Sequence, residues 1–252
     1  MGRTALVCSA GGMFGAYQAG VWEVLVDTFT PDLVVGASIG ALNAWAIAGG
    51  CPPEELRDLW LNVPEAAAYR WRVPRNPLGG IIDANALEGR IQNLHARFRP
   101  RMPIGIVITD LLRLRPILVQ NADITWEHLA ASCAVLGVLP QVRLNGRMFS
   151  DGGLLGALPL WAAVEMGADR IVAINAMPRM PAYVRTAVST LRALSRHQPP
   201  DPVNVEVTAI SASARLGGVR DAVFWNRDNA DRWLKLGRRD AFELKHSIPS
   251  MF

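Results

Sequence analysis

The chain has 252 residues, of which 50% are hydrophobic and 19% charged, and carries a net charge of +4. That balance excludes an intrinsically disordered chain and suits one α/β domain over residues 1–252, with a substantial core. Three widely spaced cysteines, Cys8, Cys51 and Cys133, exclude a disulfide framework and a cysteine metal cluster, and point to a reducing, cytoplasmic compartment.

In chain order, the first fifty residues read as β-α-β-α. Thr4 to Cys8 is a short buried strand, and Ser9 to Gly15 a glycine-rich loop. Tyr17 to Phe29 is a helix with Val21, Val24 and Leu25 on its apolar face. Asp32 to Val35 is a second strand, followed by the helix Ala41 to Ala48, which Gly49-Gly50 ends. Pro52-Pro53-Glu54-Glu55 starts another helix, with prolines at its beginning and acids in its first turn. Residues 72 to 88 are Pro- and Gly-rich and read as irregular. Ala86 to Phe98 is a helix, Ile104 to Thr109 and Ile117 to Gln120 are strands, and Thr125 to Ala134 is a helix capped by Thr125 or Asp123. Asn145-Gly146 between Gln141–Leu144 and Arg147–Ser150 is a two-residue hairpin signal. Leu158 to Met166 is a helix closed by Gly167; Arg170 to Asn175 and Val203 to Ile210 complete the sheet. Alternating strands and helices imply a mostly parallel sheet covered on both faces. The segment Ala182 to His197 is amphipathic and reads first as a packing helix, second as a membrane-surface helix.

Charge is unevenly spread. Residues 69 to 101 carry a net +5 and residues 182 to 252 a net +4. Two basic surfaces favour an anionic membrane or substrate over bare solvation only if the chemistry elsewhere calls for one. There is no nucleic-acid motif and no apolar run long enough to span a bilayer. Ala5 to Cys8 is too short for a secretory core, and Leu6 stands where myristoylation needs Ser or Thr.

Gly36-Ala37-Ser38-Ile39-Gly40 lies between a strand and a helix, the arrangement of a nucleophile elbow. Small residues flank a serine at the helix N-terminus, where unpaired N–H groups and the helix dipole favour negative charge. The plainer alternative is a turn whose serine only caps the helix. A serine needs a base. Asp151 follows the strand Arg147–Ser150 and precedes Gly152-Gly153, at a strand end where such sheets place active groups; a plain Asp-Gly turn is the alternative. The backbone N–H groups of Gly11, Gly12 and Met13, joined by that of Ile39, suit an oxyanion hole. A dinucleotide-binding loop fits worse, because Ala10 stands at its first glycine and no acid ends the second strand. Of His95, His128, His197 and His246, none lies in an evident strand-end loop. Ser38, Asp151 and either His197 or His246 would obey the α/β-hydrolase order, but the nucleophile comes early for that fold, so a Ser-Asp dyad is preferred.

With these elements placed, the chain resembles the patatin-like phospholipases over about residues 4 to 175. The matching motifs are the loop Ala10 to Gly15, the elbow Gly36 to Gly40, Ala131-Ser132-Cys133-Ala134, Asp151-Gly152-Gly153 and Leu158-Pro159-Leu160. The resemblance implies a three-layer α/β/α sandwich with a mostly parallel sheet. It implies Ser38 as nucleophile, Asp151 as base, Gly11, Gly12 and Met13 as backbone donors, and Gly15, Gly36, Gly40, Gly152 and Gly153 as supports. It implies hydrolysis of lipid acyl esters without metal or organic cofactor. Three departures stand out: Ala10 for a loop glycine, Phe14 for the usual Arg or Lys, and Leu136 with Gly156-Ala157 for a proline and asparagines. The alternatives are an acyltransferase or thioesterase on the same dyad, a non-catalytic binding protein, and a histidine-dependent α/β-hydrolase. Residues 176 to 252 form an extension on which the resemblance says little.

Overall fold

Nearly every residue of Ala5–Cys8 and Leu33–Ala37 is apolar or glycine, the pattern of strands covered on both faces. The computed structural model describes residues 2–63, 71–74, 76, 78–179, 182–195 and 205–245. Its elements run β1 (Thr4–Cys8), α1 (Gly15–Leu25), β2 (Leu33–Ala37), α2 (Ile39–Ala48), α3 (Pro53–Leu61), α4 (Asn85–Arg97), β3 (Ile104–Asp110), β4 (Arg115–Gln120) and α5 (Trp126–Cys133). They continue with β5 (Val142–Leu144), β6 (Arg147–Ser150), α6 (Leu160–Glu165), β7 (Arg170–Asn175), α7 (Ala182–Leu194), β8 (Glu206–Ser211), α8 (Val219–Val223) and α9 (Arg227–Lys245).

The sheet is parallel from β8 through β7, β1 and β2 to β3. Beyond β3 it turns antiparallel, with β4, β6 and β5. Alternate residues serve opposite faces, as strand pleating requires. Leu6, Cys8, Val34, Ile106, Val172 and Ile174 pack with the helices α1, α2, α4 and α9. Ala5, Val7, Val35, Val107 and Ala173 pack with Ala162, Ala163 and Met166 around α6. The result is the expected three-layer α/β/α sandwich. Asn145 and Gly146 both take positive φ, 47° and 78°, so the hairpin between β5 and β6 has the primed turn its sequence called for.

Some boundaries differ from the sequence reading. A 3-10 turn over Gly12–Phe14 feeds directly into α1, so that helix starts at Gly15 rather than Tyr17 and ends at Leu25. Trp71 bridges Ile82 within the stretch expected to be irregular, and α4 begins one residue early. The helix expected over Leu158–Met166 is only Leu160–Glu165. The amphipathic segment is helical over Ala182–Leu194, and His197 lies outside the described residues. Among the described residues no helix is long and apolar enough to cross a membrane.

Beyond residue 176, β8, α8 and α9 pack onto the rest. Strand β8 extends the sheet, and α9 lies on α1 at backbone contact distance. A Cβ added to Gly20 would come within 2.2 Å of the Leu234 carbonyl oxygen, and one on Gly237 within 2.2 Å of that of Tyr17. The Tyr17 hydroxyl donates to Asp240 Oδ2 at 3.1 Å, which also accepts the Ser213 N–H at 2.9 Å. Trp233 is 1% exposed. Its indole N–H donates to the Leu216 carbonyl at 2.8 Å. Its ring meets Phe14 edge-on, with centroids 5.0 Å apart. The residue that replaces the usual cation is therefore a packing partner of α9. Trp233→Ala is expected to lower the unfolding free energy by about 3–5 kcal/mol, read from urea titration, because it deletes a buried ring and leaves a cavity; the Leu216 carbonyl keeps its bond from Arg232 at 3.0 Å.

Candidate active site

The elbow depends on very short distances. Ser38 holds φ 56° and ψ −130° between β2 and α2, a strained conformation for a residue with a side chain. A Cβ on Gly36 would lie 2.2 Å from the Gly40 carbonyl oxygen, and one on Gly40 would lie 2.4 Å from those of Cys8 and Ser9. Only glycine allows this turn. Ser132, at the end of α5, pins it: the Ser38 N–H donates to Ser132 Oγ at 2.8 Å, and Ser132 donates to the Val107 carbonyl at 2.7 Å.

The sheet register explains how Asp151 reaches Ser38. On one edge of β3, β4 pairs all the way from Gly105 to Asp110. On the other edge β2 pairs up to Val107, and β6 pairs downward from Asp110 to Thr109. Strands β2 and β6 thus meet end to end at the level of Ile108. Their next residues are Ser38 and Asp151. The Ser38 hydroxyl donates to Asp151 Oδ2 at 2.5 Å. The other carboxylate oxygen accepts the Gly153 N–H at 2.7 Å, and the Asp151 carbonyl accepts the Thr109 hydroxyl at 2.8 Å. Gly152 donates its N–H to the Ser132 carbonyl at 3.0 Å.

Both side chains are nearly buried, Ser38 4% and Asp151 6% exposed. Burial pushes the Asp151 carboxyl up to about 6, against the opposing pull of its bonds from Ser38 and Gly153. Cys133 lines the same cavity; burial and the Asp151 charge hold its thiol well above the ordinary range, so it stays protonated.

A cavity of about 60 Å³ brings together Gly12, Met13, Ser38 and Ile39, with Ala222 and Val223 across from them. Gly12 has φ 56°, and its missing Cβ would lie 2.0 Å from the Ala222 carbonyl oxygen. Gly11 is not in that wall; its carbonyl accepts the Phe14 N–H at 3.2 Å and so shapes the turn. Gly15 opens α1 and accepts the Asn43 amide at 2.9 Å. His95 stacks on Trp45 at 4.7 Å, and His128 accepts the Thr125 N–H at 3.2 Å at the start of α5. Neither is bonded to Ser38. His197 and His246 lie outside the described residues. Sequence reading noted Ser132 only as part of a matching block. Its clamp, the Thr109 bond and the covering helix α8 come from tertiary contacts alone.

Two outcomes follow for stability. Ser132→Ala leaves the Ser38 N–H buried and unpaired, an expected loss of about 1–3 kcal/mol by denaturant titration. Asp151→Asn acts the other way. A carboxyl whose folded value is raised destabilises the fold once ionised, so the variant is expected to gain up to about 3 kcal/mol at pH 7. That gain should shrink as pH falls from about 6 and vanish below the ordinary carboxylate value of 3.8. Unfolding midpoints of both proteins from pH 4 to 8 read it directly.

Comparison with known proteins agrees with this architecture. The family model described as Patatin-like phospholipase matches residues 6–164. An uncharacterized NTE family protein of Mycobacterium tuberculosis is 25% identical over 177 residues, covering 69% of this chain and 49% of that protein. The patatin-like phospholipase domain-containing protein 7 of Rattus norvegicus is 25% identical over 183 residues, covering 68% of this chain and 13% of that protein. The chain thus spans about half the length of the mycobacterial relative and a small part of the mammalian one. Among solved structures, VipD from Legionella pneumophila matches 98% of this chain and 67% of its own, with TM-score 0.58 and 11% identity, a likeness of fold. With the family model spanning more than half of its residues, this chain belongs to the patatin-like phospholipase family.

Proposed function

We propose that this protein hydrolyses lipid acyl esters through a Ser38–Asp151 dyad. The observation that carries the reading is the buried 2.5 Å hydrogen bond from the Ser38 hydroxyl to Asp151 at a glycine-flanked elbow. Asp151 takes the hydroxyl proton as Ser38 Oγ attacks the ester carbonyl carbon. The carbonyl oxygen becomes an oxyanion facing the backbone of Gly12 and Met13 and the N-terminus of α2 at Ile39, with Gly11 holding the loop in shape. Collapse breaks the ester bond, and Asp151 returns its proton to the departing alcohol. A water molecule, deprotonated by Asp151, then attacks the acyl-enzyme; the bond to Ser38 Oγ breaks, Asp151 returns the proton to that oxygen, and the acid product leaves. A base at about 6 is ionised at neutral pH yet still holds a proton well enough to pass it on.

Substrate of this kind is met at a lipid surface, and the mouth of the site suits one. Trp71 and Val73 are 67% and 90% exposed, and Ile81, Leu136 and Val219 also reach solvent. Ile81, Leu136 and Val219 belong to segments that wall the Ser38 cavity, and Trp71 bridges Ile82 of that wall. Trp71 packs on Phe224 at 5.6 Å, and the Ile82 N–H donates to the Val138 carbonyl at 3.0 Å. Exposed Arg72 and Arg220 beside them suit peripheral contact with an anionic membrane. Free, buried Cys8, Cys51 and Cys133 suit a reducing, cytoplasmic location.

Fluorophosphonate labelling followed by intact mass, together with p-nitrophenyl ester turnover, tests the dyad. Labelling is expected in the wild type and absent in Ser38→Ala. Turnover is expected to fall about a thousandfold or more in Ser38→Ala and in Asp151→Asn. Because the base must be unprotonated, kcat/KM is expected to fall as pH drops through about 6. A folded wild type that takes no label would point instead to a binding protein. Co-sedimentation with phosphatidylglycerol vesicles is expected for the wild type and reduced by Val73→Asp; equal pelleting of both would remove this face from the contact.

A further inference from the structure

We infer that the pocket between α9 and the loop from β8 to α8 binds the phosphate of a small phosphomonoester, a ligand separate from whatever is cleaved at Ser38. The pocket has a volume of about 360 Å³ and shares no lining residue with the Ser38 cavity. Small-molecule sites have this size. Four cations line it, Arg215 from the loop and Arg232, Lys235 and Arg239 from α9; among the described residues no carboxylate lines it. Residues three and four apart share a helix face, so positions 232, 235 and 239 bring their charges to one side of α9.

These charges are only partly balanced from within. Lys235 pairs with Asp231 at 2.7 Å, and Arg239 lies 3.7 Å from Asp240 and 3.9 Å from Glu243. Arg215 and Arg232 have no ion pair among the described residues. Each is seated on backbone instead. Arg215 donates from Nε to the Gly217 carbonyl at 3.2 Å. Arg232 donates from Nη2 to the Leu216 carbonyl at 3.0 Å and to Asn229 Oδ1 at 3.1 Å. Asp221 of α8 is engaged elsewhere, by the Gly218 N–H at 2.8 Å and the Asn229 amide at 3.4 Å. Two guanidinium groups thus rest on carbonyls of successive residues, with no anion between them. Like charges held side by side repel, and a bound anion turns that repulsion into attraction.

The donors select the anion. A carboxylate has one charge and two oxygens, which a single guanidinium fork satisfies. A phosphomonoester carries close to two charges and three terminal oxygens, enough for a fork from the loop and another from the helix. The cavity exceeds what a phosphate alone fills, since a water molecule takes about 30 Å³. The apolar wall at Leu216 and Leu236 takes the uncharged group that carries it.

Isothermal titration with glycerol 3-phosphate at low salt tests the pocket. Saturable one-to-one binding is expected in the wild type, weakened about tenfold or more by Arg215→Gln and by Arg232→Gln. Arg232→Lys keeps the charge but loses the fork, and is expected to weaken binding as well. Arg143→Gln, which removes an exposed arginine of β5 outside the pocket, is expected to leave it unchanged. A second arm presents the same phosphate as a lipid headgroup: co-sedimentation with phosphatidylcholine vesicles containing phosphatidic acid, in the Ser38→Ala background so that no lipid is cleaved. Binding of the soluble compound assigns the pocket a dissolved ligand. Pelleting that Arg215→Gln reduces, without binding of glycerol 3-phosphate, assigns it a headgroup. If neither arm responds to Arg215→Gln and Arg232→Gln, or if Arg143→Gln weakens binding as much as they do, the site is overturned.

Discussion

Strands β2 and β6 share one edge of β3, and neither has room to pass the other. β2 climbs that edge to Val107 and β6 descends it to Thr109, while β4 fills the opposite edge beside both. The two chains must leave the sheet where they meet. Each leaves through a glycine-rich turn, and the residues at the collision point are Ser38 and Asp151. Residues 113 apart in sequence are thus held at 2.5 Å by hydrogen-bond register rather than by side-chain reach. Ser132 and Thr109 reinforce the junction from β3 and α5, each tying one of the two turns to the frame.

This junction lowers stability where it forms. A serine at positive φ and a nearly buried carboxylate are both unfavourable locally. The surrounding core offsets them: strands buried on both faces, α2 almost wholly buried, and α1 and α9 in contact along their backbones at Gly20 and Gly237. A proton-accepting group raised to about 6 is available only because the fold around it tolerates its charge.

The segment after β7 contributes to the site as well as to the sheet. Ala222 of α8 sits against Gly12, and Trp233 of α9 holds Phe14. The ring at position 14 is turned into the helical layer rather than toward Ser38. A cation at this loop is therefore replaced by an apolar joint between the loop and the C-terminal helices.

Local chemistry made much of this legible in the sequence. Runs such as Ala5–Cys8 and Leu33–Val35 could only be buried strands; Asn145-Gly146 could only be a tight turn; and Gly-x-Ser-x-Gly after a strand marked Ser38 as the candidate nucleophile, because only glycine fits beside that backbone. Asp151 was legible through its glycines and its place at a strand end. What no local pattern carried was pairing. The antiparallel half of the sheet, the meeting of β2 with β6, the Ser132 clamp and the packing of Phe14 on Trp233 all join residues far apart in the chain. Propensity acts over a few residues, whereas these features follow from register and from which faces are brought together, and only the folded chain sets those.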